Sequence, residues 1–329
     1  MRVLVAGGAG YVGSHAARLL ARAGHDVWVY DNLSQGHRAA CAAERLIVAP
    51  LSDRARLESA LRDHRIEAVM HFAAFSLVGE SVTDPAKYYR NNVAETLGLL
   101  ETMKVCDVRR IVFSSTAAVY GQPESSPIAE SSPLSPVNPY GVTKLTVEHM
   151  LADFAAAYGF GFAALRYFNA AGASPDGDIG EDHHPESHLI PLVLQVALGQ
   201  RPHITVFGND YPTADGTCIR DYIHVDDLGA AHIRALELLE PGTQMRLNLG
   251  TGSGQSVQAV IEACRKVTGH AIPAIVGERR AGDPAELVAD ARRAQQELGW
   301  TPRYIELQDI VESAWRWHSQ HPQGFGDRG

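Results

Sequence analysis

The segment Gly7-Gly8-Ala9-Gly10-Tyr11-Val12-Gly13 constrains the fold more than any other part of the chain. It follows residues 3–6, a short apolar run of the kind used by a strand buried on both faces, and leads into an expected helix over 11–23. A strand, a glycine turn and a helix in that order aim backbone N–H groups at one point, where a pyrophosphate can be held. The turn reads as G-x-G-x-x-G from Gly8 or as G-x-x-G-x-x-G from Gly7. Glycines also serve plain strand-to-helix connections, so the motif gains weight from Asp31, which ends the next expected strand 18 residues after Gly13. A carboxylate there accepts hydrogen bonds from the adenine ribose hydroxyls and repels the extra phosphate of NADP, so NAD is the expected cofactor. An aspartate that merely caps a turn is the weaker explanation.

The same alternation continues. Strands are expected at 26–30, 46–48, 68–72, 110–114 and 161–167, and helices at 53–64, about 85–104 and 140–158. This order predicts an α/β protein with a doubly wound parallel sheet of Rossmann type. After Asn169 glycine and proline become frequent and helices such as 189–198 stand apart. The expected division is therefore an NAD-binding domain over 1–169 and a smaller C-terminal α/β substrate domain over 170–329. Residues 246–249 form another short strand ending in glycines, so part of 219–255 is expected to return to the first sheet.

A net charge of -9 provides no broad basic face for nucleic acid or anionic lipid. Cys41, Cys106, Cys218 and Cys264 are far apart with no C-x-x-C pair, which suggests neither a zinc framework nor disulfides. No signal-peptide pattern and no bilayer-length apolar run is present, so a cytoplasmic setting is expected. The Ser/Pro-rich stretch 125–139 reads as one long loop of the functional kind.

Directly after that loop comes Tyr140-Gly141-Val142-Thr143-Lys144, whose four-residue spacing sets a phenol and an ammonium on one helical face. For tyrosine to act as a base near neutrality its pKa of about 10 must fall by about 3, or about 4 kcal/mol. An ammonium about 6 Å away at an effective dielectric near 20 supplies somewhat under 3 kcal/mol. A cationic nicotinamide ring is expected to supply the rest. Y-x-x-x-K on its own is weak, since a solvated helix face explains most such pairs. Upstream, Ser114, Ser115 and Thr116 deliver small hydroxyls to the carboxyl end of a strand, where such sheets bind ligands. Thr116 is the expected proton relay, and at least one of the three is expected to serve only local backbone bonding.

The glycine turn, Asp31-Asn32-Leu33-Ser34, the run from Phe113 to Gly121, the Tyr140/Lys144 pair and Tyr167-Phe168-Asn169 together resemble the extended short-chain dehydrogenase/reductase family. Further support comes from His71-Phe72-Ala73-Ala74, Gly79-Glu80-Ser81, Asn91-Asn92-Val93, Phe207 to Pro212 and Arg220 to Val225, so the likeness covers nearly the whole chain. It is strongest to members that invert carbon four of a UDP-hexose. The resemblance implies that Tyr140 takes the proton of the 4-hydroxyl while the carbon-four hydride passes to NAD and returns to the other face of a 4-keto sugar. Lys144 then holds the nicotinamide ribose and tunes Tyr140, and Thr116 bonds the sugar oxygen. By the same likeness Gly7, Gly10, Tyr11, Val12, Gly13, Asp31, Asn32, Leu51, Phe72, Ala73, Ala74, Asn91, Ser114, Tyr140, Lys144 and Phe168 contact NAD. Ser76, Thr116, Tyr140, Asn169, His188, Leu189, Phe207, Arg220, Tyr222, Arg280 and Asp283 hold the nucleotide sugar. A homodimer packed through 85–104 and 140–158 is also implied.

The chain departs from the family at several positions. Pro50 replaces an acidic residue that reaches the adenine, so weaker NAD binding is expected. Ser76 stands where some relatives carry lysine, and His188 where asparagine is frequent. Leu287 falls where side-chain size governs tolerance of an N-acetyl group, and its bulk favours unsubstituted hexoses. Ala117 and Ala118 follow Thr116 where a 4,6-dehydratase needs an acid and a base, and methyl groups transfer no protons. UDP-xylose/UDP-arabinose inversion remains the nearest alternative, and a non-catalytic NAD-sensing module has no need of Tyr140, Lys144 and Thr116 together. Glu181, Asp182, His183, His184 and His188 cluster in sequence, yet their spacing matches no standard zinc signature, so no metal is expected. Trp315, Trp317 and His318 are expected to lie on a helix that packs its aromatics.

Overall fold

The computed structural model describes residues 1–280 and 282–327. In the first half the strands are β1 Arg2–Ala6, β2 Asp26–Asp31, β3 Leu46–Val48, β4 Ala68–His71, β5 Arg110–Thr116 and β6 Gly161–Tyr167. The helices between them are α1 Tyr11–Arg22, α2 Arg54–Asp63, α3 Val78–Thr83, α4 Pro85–Tyr88, α5 Glu95–Val105 and α6 Pro139–Tyr158. The second half holds β7 Asn169–Ala171, α7 Leu189–Ala197, β8 Ile204–Phe207, β9 Ile219–His224, α8 Val225–Leu238, β10 Gln244–Leu249 and β11 Gly254–Ser256. It ends with α9 Val257–Thr268, β12 Ala274–Gly277, β13 Glu286–Leu287, α10 Arg292–Leu298 and α11 Leu307–Gln320.

Seven strands in the order β10-β6-β5-β4-β1-β2-β3 make one sheet, and every neighbouring pair is parallel. This is the Rossmann-type α/β architecture expected from the strand and helix order. Residues alternate between faces: Val3 and Val5 pack beneath α1 and α8 with Leu20, Leu228 and Ala231, while Leu4 packs on the other side with Leu57, Leu99 and Leu151 of α2, α5 and α6. Because the strands run one way, Ala6, Asp31, His71, Thr116, Tyr167 and Leu249 all end at one edge. From β1 the connections wind outward in both directions, so a crevice opens between β1 and β4, where doubly wound sheets bind ligands.

The second layer is smaller. Strand β9 pairs with β7, β11 and β13, β8 pairs with β12, and α7, α9 and α11 pack around them through Leu194, Ile261 and Val311. Strand β10 lies beside β6 in the large sheet although it follows β9 in sequence. No helix among the described residues is long and apolar enough to cross a membrane.

Two elements differ from the sequence expectation. The helix expected at about 85–104 is α4 and α5 joined by a π-helical turn, Tyr89–Ala94. The widened turn holds Asn92 inward, where its side chain accepts from Phe75 N (2.9 Å) and donates to Phe75 O (3.0 Å) and Thr143 Oγ1 (3.2 Å). Asn92 thereby ties the loop after β4 to α6, a use that helical periodicity does not announce. Strand β5 runs on to Thr116, whose hydroxyl accepts from Ala118 N (3.2 Å) and opens a 3-10 turn, Ala117–Tyr120.

Candidate active site

The glycine turn is shaped for close approach. Gly7 has φ +77, and a Cβ there meets Ala73 N at 2.3 Å; at Gly13 it meets Gly7 O at 2.2 Å. Gly10 begins α1 with no side-chain cap, so the first N–H groups of the helix keep their capacity for an anion. Asp31 is buried at the end of β2, where its carboxylate accepts from Ala9 N (3.0 Å) and Leu33 N (2.8 Å). It thus performs the capping role and still faces the turn with lone pairs to spare; burial pushes its pKa upward against those two donors. Leu33 sits at φ 58, and Asn32 accepts from Ser34 N (2.9 Å), which shapes the loop after β2. Phe72 N and Ala73 N both donate to Ala6 O, at 2.7 and 3.0 Å, so the residues after β4 line the crevice beside the turn. Leu51 is buried next to Pro50, whose carbonyl accepts from Tyr30 OH (3.1 Å). A dinucleotide fits this set: a cradle that any side chain fills, an uncapped helix N-terminus and a carboxylate on the adenosine side.

At the end of β5 the residues converge as expected. Asn138 caps α6 by accepting from Gly141 N (2.9 Å), and Pro139 occupies the first turn. Tyr140 therefore sits at the positive end of the helix dipole, which favours a phenolate. One turn on, Lys144 is buried; its ammonium donates to Ser114 O (2.7 Å) and lies 5.9 Å from the centroid of the Tyr140 ring. The Thr116 hydroxyl lies close enough to Tyr140 to bring its pKa down, and Ser114 Oγ pairs with Tyr167 OH (2.7 Å). The neutral His71 lies below, its Nε2 on Thr96 Oγ1 (2.8 Å), with its pKa brought down to about 3 chiefly by burial and also by Lys144.

The expected acidification of Tyr140 by Lys144 is not what the protein alone achieves. Burial pushes the Tyr140 pKa well above the ordinary phenol value, Tyr167 adds to the rise, and only the Thr116 hydrogen bond opposes it. Burial also brings Lys144 down to about 7. One cation at this distance does not outweigh desolvation. A phenolate–ammonium pair relieves the burial penalty on both partners, and a further positive charge at the ring would lower that penalty more.

In the smaller layer, β9 places Arg220 in an ion pair with Asp283, with a further bond to Ile219 O (2.7 Å). Arg280 lies over the Phe207 ring, 4.2 Å from its centroid. Asn169 is in register with Tyr222, which joins the end of the large sheet to this layer. His188 and Leu189 open α7, and His188 contacts Glu181. Phe168 and Leu287 pack on one small cluster with Val119 and Ile128, which brings an expected cofactor residue beside the expected size filter. Asn91 donates to Asn92 (2.9 Å) at the π turn. Ser76, by contrast, is solvent-exposed just before α3.

Sequence reasoning missed the support beneath Tyr140. Glu148, one turn beyond Lys144 on the same face of α6, forms a buried ion pair with Arg166 of β6 and accepts from Ser115 Oγ (2.6 Å). Arg166 also donates to Tyr120 OH (2.9 Å), which donates to Asn248 (2.6 Å) on β10. The spacing 140, 144, 148 was the available signal. Of the hydroxyl trio, Thr116 makes the local backbone bond, and Ser115 braces Glu148.

With this geometry in hand, similarity to known proteins is specific. Residues 3–250 match the model of the NAD dependent epimerase/dehydratase family. A UDP-glucose 4-epimerase of Halalkalibacterium halodurans is 54% identical over 326 residues, 99% of this chain and 98% of the relative. A crystal structure of a UDP-glucose 4-epimerase superposes with a TM-score of 0.96 at 50% identity, covering 99% of both chains. The UDP-glucose 4-epimerase of Bifidobacterium longum, solved in complex with NAD+ and UDP, superposes at 0.93 with 39% identity over 99% of this chain and all of its own. Together with the cradle, the carboxylate and the Tyr140/Lys144 pair, these matches make the chain a member of the NAD dependent epimerase/dehydratase family.

Proposed function

We propose that the protein interconverts UDP-glucose and UDP-galactose by inverting carbon four through a transient 4-keto sugar. The observation that carries this reading is the meeting, at one sheet edge, of the glycine cradle with Tyr140, Lys144 and Thr116, in a chain 54% identical to a UDP-glucose 4-epimerase. NAD, when bound, supplies the acceptor for the carbon-four hydride and its return. Tyr140 accepts the 4-hydroxyl proton and gives it back, Thr116 holds the oxygen through a shared hydrogen bond, and Lys144 keeps two donors for ribose hydroxyls beyond its bond to Ser114 O. Arg220 and Arg280 meet the diphosphate, with Asp283 orienting Arg220. The test is incubation with UDP-galactose, UDP-xylose and UDP-N-acetylglucosamine and chromatography of the products. Conversion of UDP-galactose is expected to be fastest; conversion of UDP-xylose alone assigns the pentose reaction instead.

Three further outcomes follow from this placement. Asp31→Asn removes the charge beside the adenosine side of the cradle, and NAD affinity is expected to fall by at least about tenfold, since hydrogen bonds to charged groups contribute about 1.5–3 kcal/mol. Titration calorimetry on dinucleotide-free protein checks this, and unchanged affinity removes Asp31 from the site. Leu287→Ala opens the cluster around Phe168, so the rate on UDP-N-acetylglucosamine relative to UDP-galactose is expected to rise by about tenfold or more, the effect of a pocket a few methylenes wider. Val82, Tyr89 and Leu97 are exposed apolar residues of α3, the π turn and α5. Two copies are inferred to pair over this surface and α6, and light scattering is expected to give twice the chain mass.

A further inference from the structure

The loop entering α7 brings together Glu181, His183, Glu186 and His188, whose ligand atoms all lie within 4.8 Å of one another. Both carboxylate side chains are buried, at 4% and 6% exposure, and both imidazoles turn Nδ1 toward the same point. Glu181 Oε1 is 3.1 Å from His183 Nδ1 and touches His188 Nδ1. Glu186 Oε2 stands 3.8 Å from His183 Nδ1, and Glu186 Oε1 stands 3.8 Å from His188 Nδ1. A tetrahedral ion with bonds of about 2.0–2.1 Å spaces its ligands about 3.3 Å apart, so the Glu181–His183 separation and the approach of either Glu186 oxygen bracket the requirement, and the Glu181–His188 contact has only to open.

A pair of simple ion pairs leaves each carboxylate with its own imidazole. Here one oxygen of Glu181 serves both rings, and Glu186 stands back from both at equal distance. The ligands are also held from behind. Ser187 N (2.7 Å) and His188 N (2.8 Å) donate to Glu186 Oε1, the buried Trp317 donates to Glu181 O (3.2 Å), and the His183 ring meets the Tyr11 ring edge-on at 6.0 Å. Such outer contacts fix ligand orientation before an ion arrives. Two imidazoles with two carboxylates select a borderline cation, since calcium and magnesium call for oxygen ligands. Two carboxylates also neutralise its charge. The helical or strand spacing of a standard zinc motif is absent because all four ligands come from one irregular loop folded on itself.

We propose that Glu181, His183, Glu186 and His188 bind one divalent cation of the zinc class, clamping the loop before α7 onto Tyr11 at the head of α1. The protein, stripped with chelator, equilibrated with excess zinc sulfate and desalted, is expected to retain about one zinc per chain by elemental analysis. Magnesium or calcium in the same protocol is expected to be lost. Cobalt in place of zinc is expected to give the visible absorption of a tetrahedral N/O site. His183→Ala, at a partly exposed position, and Glu181→Gln are each expected to weaken retention by more than tenfold, with far-UV circular dichroism unchanged for His183→Ala. Retention far below one zinc per chain, or undiminished retention in folded His183→Ala, which places the ion on other groups, overturns the proposal. Neither readout depends on turnover, so the test stands apart from the assigned reaction.

Discussion

Tyr140→Phe is expected to lower turnover of UDP-galactose by on the order of 10²–10⁴-fold, the range for loss of a general acid–base, while the protein still binds NAD. The ring is kept, so the first turn of α6 and its Asn138 cap are undisturbed. Lys144 keeps its bond to Ser114 O, and the glycine cradle is untouched. Only the hydroxyl that meets Thr116 is gone. Steady-state rates, paired with the amount of dinucleotide bound per chain, check this. Near wild-type rates show that another group takes the proton. Loss of both NAD and turnover shows that the hydroxyl serves cofactor binding instead.

The second large effect is on stability. Arg166→Met strips the guanidinium from a pair in which Arg166 is 2% and Glu148 1% exposed. The remaining carboxylate keeps Ser115 Oγ and a distant Arg246, 3.9 Å away, as its polar partners. Leaving such a charge buried costs about 3–5 kcal/mol, which lowers Tm by about 4–7 °C in a chain of this size. Thermal or denaturant unfolding measures it. Adding Glu148→Gln to Arg166→Met is expected to recover part of the loss, because the stranded charge is gone; a single-variant change under about 1 kcal/mol contradicts a structural role for the pair. Because Glu148 follows Tyr140 and Lys144 on the same helical face, the single variant is also expected to reduce turnover through a shifted α6.

The parts of this site that were legible in the sequence are those with local causes. Glycines at 7 and 13 are demanded by backbone approaching backbone, and that demand is visible as a motif. Tyr140 and Lys144 share a face because of helical spacing, and the strand ends deliver Asp31, Thr116 and Tyr167 because parallel strands finish together. What escaped depends on contacts between distant segments. The Glu148–Arg166 pair joins α6 to β6, and neither residue stands in a motif. Asn92 is drawn inward by a π turn that only its partners Phe75 and Thr143 explain. The Tyr140 shift was only partly readable for the same reason: charge spacing along a helix is visible in sequence, but the desolvation that opposes it in the protein alone is set by everything packed around the phenol.

The most direct test follows the hydrogen at carbon four. UDP-galactose carrying deuterium there, incubated with the protein in ordinary water, is expected to give UDP-glucose with the label still on carbon four and no free reduced dinucleotide. Label washed into solvent, or UDP-glucose formed by protein stripped of NAD, contradicts an oxidation that begins at Tyr140 and is reversed within the same site.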